Sequence, residues 1–172
     1  MATGDVRILD SAGNNVVPTY PQTGTLRFAT QHGNTALNPG EPCKIDGTNG
    51  IPYVVIVADA DGTTGSHFVG IVKSKDTVTA SVNGYVDVYI PLPGIIYAAK
   101  AKTSTNVATD TLITALIGKR VIWDVTSATV TVDTGATDAV TNCLYIVGGD
   151  STARDVYFMY NLQGVHGLGS IL

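Results

Sequence analysis

The sequence predicts a mainly β fold, an antiparallel β-sandwich or barrel, and three observations lead there. Short apolar runs with β-branched residues recur along the chain, separated by glycine-rich turns. Glu41 is the only glutamate among 14 acidic residues, and aspartate favours turns where glutamate favours helices. Charged residues make up only 14% of the 172 residues, while hydrophobic residues make up 44%, enough for a real core. Much of the surface must then be Thr, Ser, Asn and Gly, or be covered by a partner.

Residues 1–40 are rich in Gly, Asn, Thr and Pro, with apolar islands at Val6, Ile8 and Leu9, at Val16 and Val17, and at Leu26 and Phe28. This pattern predicts an extended N-terminal arm, which at its longest would span about 130 Å. Residues 41–172 read as a single β-rich domain. The run "YVVIVA" over 53–58 suits a strand buried on both faces. "HFVGIVKS" over 67–74 follows, with Gly70 marking a bulge or a close approach. "TVTASV" over 77–82 alternates, Asn83-Gly84 is a hairpin signal, and "YVDVYI" over 85–90 returns antiparallel. There Val86, Val88 and Ile90 point one way and Tyr85, Asp87 and Tyr89 the other. Pro91 and Pro93 end the ladder.

"IIYAAKAK" over 95–102 is a further strand. One short helix is predicted at 110–117, where Leu112, Ile113, Leu116 and Ile117 fall at helical spacing. Thr109 or Asp110 caps its start and Gly118 ends it, with a strand as the alternative because of the β-branched residues. Strands over 120–125, 128–133, 142–148 and 154–162 complete the set. Trp123 alternates with Val121 and Val125 and reads as core. No fixed-period repeat stands out, which argues against a solenoid or propeller.

The chemistry is sparse. "DADGTTG" over 59–65 resembles a calcium loop, but counting from Asp59 puts Thr64 at position 6 and Gly70 at position 12, where glycine and a bidentate acid are needed. It reads as an ordinary turn. His32, His67 and His166 are scattered, and no GxSxG occurs. Close glycines near 148 and 167 do not open a helix after a strand, as a phosphate cradle requires. Cys43 and Cys143 read as two buried free thiols, or else as a single bridge. The net charge of −4 and the lack of a basic block argue against nucleic acid. No apolar run approaches the roughly 20 residues that span a bilayer, and "MATGDVRILD" lacks a signal-peptide pattern. No catalytic residue, cofactor, metal, nucleic acid or membrane is expected. Tyr85, Tyr89, Tyr97 and Tyr157 lie on strands, where they either cover a sheet face or interface, or form a sugar-stacking platform.

The stretch from "GIPYVVIVADADGTTGSHFVGIVKS" through "NGYVDVYIPLPGIIYAAKAKT", with the later "ALIGKRVIWDV" and "CLYIVGGDSTARDVYFMYNL", resembles the body of capsid decoration (cement, or head-stabilising) proteins of tailed bacteriophages. The resemblance covers roughly residues 41–162. It implies a virion structural protein on the outer capsid surface, made in the host cytoplasm. It also implies a homo-oligomer, expected as a trimer, that stabilises the shell by bridging major capsid protein subunits, with no catalytic residues. The expected capsid or subunit contacts are Val6, Ile8, Leu9, Val16, Val17, Tyr85, Tyr89, Ile171 and Leu172. The alternative is a tail, fibre or head-spike β-domain that binds host-surface glycans through the strand tyrosines.

Overall fold

The computed structural model describes residues 7–9, 15–16, 25–48, 51–57, 68–90, 94–126, 129–135 and 142–160. The fold is mainly β. Its strands are β1 (Arg7–Leu9), β2 (Asn15–Val16), β3 (Thr25–Thr30), β4 (Pro42–Thr48), β5 (Ile51–Ile56), β6 (Phe68–Val72), β7 (Gly84–Tyr89), β8 (Ile96–Lys100), β9 (Arg120–Thr126), β10 (Thr129–Asp133), β11 (Leu144–Asp150) and β12 (Asp155–Tyr160). A 3-10 turn (Ser104–Val107) and helix α1 (Asp110–Leu116) lie between β8 and β9. The Thr109 side chain accepts from the Leu112 N–H, and Gly118 follows at φ +88°, the two ends that the sequence indicates.

The strands form two units. β3-β5-β4-β6-β7 is a closed barrel. The other seven strands form a sheet in the order β10-β9-β11-β12-β8-β1-β2. This sheet also rolls up. Ala101, directly after β8, bridges Val132 of β10 in parallel, and the Lys102 N–H donates to the Val132 carbonyl at 2.9 Å. Counted in chain order, β3–β7 and β8–β12 trace the same path: first strand beside third, then second, fourth and fifth, and back to the first. In both units the first–third contact is parallel and every other pairing is antiparallel. Both second-to-third hairpins close over two residues, between the paired Thr48 and Ile51 and between Thr126 and Thr129. The strands β1 and β2 are additions to the outside of β8.

Each barrel has its own core. Leu37, Cys43, Val54, Val72, Val86 and Val88 fill the first. The second is larger and aromatic. Trp123 meets Phe158 edge-on at 5.3 Å between ring centroids, and Tyr97 meets Tyr160 edge-on at 4.9 Å. Val57 and Ile71, from the first barrel, pack into the second barrel's cluster and join the two.

Three expectations are corrected. The boundary at residue 40 does not hold, because β3 pairs with β7 over six positions and Leu37 is core, so residues 25–40 belong to the first barrel rather than to an arm. The strands from β4 to β12, within the single domain expected over 41–172, are likewise divided between two barrels. The strand expected over 77–82 and its Asn83-Gly84 hairpin are absent. Instead a tight turn runs from Thr79 to Val82, and Thr77 pairs locally with Tyr85. Gly84 is required for a different reason: a Cβ there would lie 2.2 Å from the Val78 nitrogen. Helix α1 buries only Ile113 of its apolar residues, leaving Leu112 exposed beside the exposed Ile117. Seven residues give too little surface to bury a full stripe. Gly70 behaves as expected on both counts. The β4–β6 register shifts beside it, and a Cβ there would sit 2.0 Å from the Tyr89 carbonyl oxygen.

Candidate functional site: the outer face of β7

Alternation along β7 sends Val86 and Val88 wholly inside and leaves Tyr85, Asp87 and Tyr89 on the outer wall of the first barrel. The neighbouring strand β3 brings Arg27 opposite Asp87. The Arg27 Nε donates to Asp87 Oδ1 at 2.8 Å and Nη2 to Oδ2 at 3.3 Å, a two-pronged pair. The same guanidinium lies 4.8 Å from the centre of the Tyr85 ring. Lys73, beyond the end of β6, places its ammonium 5.5 Å from the Tyr89 ring centre. The hydrogen bonds from Arg27 hold the Asp87 carboxyl below its usual range, and the same contact raises Arg27. Burial raises the Tyr89 phenol. Tyr85 remains 50% exposed. The result is a half-exposed aromatic ring, with charges of both signs held by neighbours on a closed barrel. Aromatic and Arg side chains are enriched in protein interfaces.

The other expected contacts lie elsewhere. Ile8, Leu9 and Val16 come together in β1 and β2, at the edge of β8 on the second barrel. Val6, Val17, Ile171 and Leu172 lie outside the described residues, as do the 59–65 loop, His67 and His166. Tyr97 is fully buried in the second core, which removes it from any exposed tyrosine platform. Arg27 was not legible as a site residue. It sits in a segment that reads as an arm, 60 positions from the aspartate it pairs with, and no local signal joins them.

The reactive-looking groups are structural. Cys43 and Cys143 are both buried and form no disulfide, which decides between the two readings of the pair. Burial pushes the Cys43 thiol up to about 12, which keeps it protonated at neutral pH. The buried Asp76 carboxylate accepts from Thr30 Oγ1 at 2.7 Å, from the Val78 N–H at 2.9 Å and from the Leu37 N–H at 3.3 Å. In the second barrel Lys102 pairs with Asp124 at 2.5 Å and with Asp133 at 3.0 Å, and Lys100 pairs with Asp155 at 2.8 Å. His32 is exposed and bonded to Asn83. Among the described residues, no group of three His, Cys, Asp or Glu side chains could hold a metal, and no helix is long and apolar enough to cross a membrane.

Compared with known proteins, the chain matches no family model, no curated protein and no solved structure.

Proposed function

We propose that this chain is a structural protein of a tailed-phage virion, which decorates the outer capsid surface and stabilises it by bridging neighbouring major capsid protein subunits as a homo-oligomer. The observation that carries the reading is the outer face of β7, where Tyr85 stands half exposed, paired with Ala29 of β3 and with the Arg27 guanidinium against its ring. The sequence resemblance to decoration proteins supplies the partner. The mechanism is multivalent: each copy buries several small contacts, so the shell opens only when several break together. The test compares native particles with particles lacking the protein. The latter are expected to lose heat or pressure resistance, and Tyr85→Ala protein is expected to bind them with lower occupancy. Unchanged particle stability would refute the reading.

The glycan-binding alternative has one feature in its favour, the exposed Tyr85 ring beside the Asp87 carboxylate and the Arg27 guanidinium. Glycan-array binding that disappears on Tyr85→Ala would support it.

A further inference from the structure

The ladders of the two barrels correspond without a slip. Val72 opposite Val88 matches Ile146 opposite Phe158. Leu26 opposite Val88 matches Tyr97 opposite Phe158. Cys43 opposite Gly70 matches Val121 opposite Leu144, and the hairpin ends Thr48 and Ile51 match Thr126 and Thr129. The parallel bridges, Ala29 with Tyr53 and Ala101 with Val132, keep the same register, one residue further along both strands in the second barrel. Residue by residue, Trp123 therefore stands where the first barrel has Ile45, Phe158 where it has Val88, Tyr160 where it has Ile90, and Tyr97 where it has Leu26. One layer of the same barrel is aliphatic in one copy and aromatic in the other.

The aromatic layer carries polar atoms that the aliphatic layer does without. Tyr97 and Trp123 are both fully buried. They pack on the same two rings. Between centroids, Tyr97 lies 5.9 Å from Phe158 and 4.9 Å from Tyr160, and Trp123 lies 5.3 Å and 6.4 Å from them. Tyr97 Oη and Trp123 Nε1 are shut off from solvent, and among the described residues neither has a hydrogen-bond partner. A buried polar atom in that position carries its full desolvation penalty unless something other than the protein satisfies it. The fold does not impose this penalty, since the first barrel closes the equivalent layer with Ile45, Val88 and Ile90.

We propose that the ring layer of the second barrel is a binding site for an internal water, held between Tyr97 Oη and Trp123 Nε1. The indole N–H can only donate, so the water accepts from it, while the phenol can donate or accept. Internal waters make about three hydrogen bonds to buried polar groups that lack other partners. The two anchors sit on β8 and β9, which are not neighbours in the barrel. The water thus ties the layer together across the barrel interior, where the first barrel relies on aliphatic contact alone.

Two measurements on the full-length chain test this. The first is a high-resolution crystal structure. A water oxygen is expected within about 3.2 Å of both Trp123 Nε1 and Tyr97 Oη. Rings that close on one another with no water at these atoms overturn the site. The second is thermal unfolding of Tyr97→Phe, which keeps the ring and removes only the hydroxyl. If the hydroxyl holds the water, the variant leaves the indole–water pair short of a partner, and its midpoint is expected to fall by about 2–4 °C. An orphaned hydroxyl gives the opposite sign, because its removal relieves a buried polar atom. A midpoint that is unchanged or raised therefore overturns the proposal.

Discussion

The two barrels follow one strand path with different chemistry. The first is filled by aliphatic residues around Cys43, the second by the ring cluster of Tyr97, Trp123, Phe158 and Tyr160. Near the first–third contact of the first barrel, Asp76 is held by neutral donors from Thr30, Leu37 and Val78. At the same contact of the second, Lys102 reaches across to Asp124 on β9 and Asp133 on β10. The path therefore does not depend on any one side-chain solution. Backbone pairing and inward alternation define it, and either a hydroxyl–amide cradle or an ion pair can hold its seam. The loops differ as well. The first barrel joins its first and second strands by an irregular stretch that contributes Leu37, whereas the second uses a 3-10 turn and α1.

The largest expected effect separates the cores. Trp123→Ala removes the centre of the ring cluster and should cost about 3–5 kcal/mol, read by urea unfolding. Because Val57 and Ile71 join the two cores, Trp123 fluorescence and far-ultraviolet circular dichroism should report one coincident transition in the wild type. Two separate transitions would break the barrels into independent units.

Gly70→Ala acts on the first barrel alone. Its new Cβ would meet the Tyr89 carbonyl, a backbone atom that cannot step aside, so a loss of about 3 kcal/mol is expected from denaturant midpoints. A neutral result would mean that β6 and β7 pair less closely than described.

The seams offer a sharper contrast. Asp76→Ala leaves two buried donors, Thr30 Oγ1 and the Leu37 N–H, and the half-buried Val78 N–H without their acceptor and should cost about 2–3 kcal/mol, equally at low and high salt. Lys102→Met should destabilise at low salt, and its difference from wild type should shrink at 0.5 M salt (about a 4 Å screening length), because the Lys102 side chain is 43% exposed. Equal salt dependence in the two variants would erase the distinction between the seams.

The smallest effect at neutral pH concerns Cys43. Its folded-state value is raised to about 12, so its contribution is complete below the unfolded thiol's value near 9. It is lost progressively as pH rises from there towards 12, at about 1.4 kcal/mol per pH unit. Cys43→Ala should flatten that decline. Burial also raises the phenols of Tyr89, Tyr97 and Tyr160, which contribute to the decline that remains.

Much of the fold was legible in the chain. Most strand positions after residue 50, the ends of α1, the burial of Trp123 and the split of β7 into a Val86/Val88 face and a Tyr85/Asp87/Tyr89 face follow from short-range periodicity and capping, whereas β4 (Pro42–Thr48) was not expected and the strand expected over 77–82 does not form. Half of the candidate site was legible for the same reason. The hairpin was misplaced because Asn83-Gly84 satisfies a turn signal that tertiary contact overrides: Gly84 is demanded by the Val78 backbone passing 2.2 Å from where a Cβ would stand.

The sequence by itself determined most of the strands after residue 50, the ends of α1 and which face of β7 turns inward. These are decided within a few residues, by alternation, propensity and caps. Only the tertiary structure decided that ten of the strands close into two barrels of one path, that β3 belongs to the first of them, and that Arg27 clasps Asp87. Those features depend on pairing between segments tens of residues apart, and local pattern does not encode which strand will lie beside which.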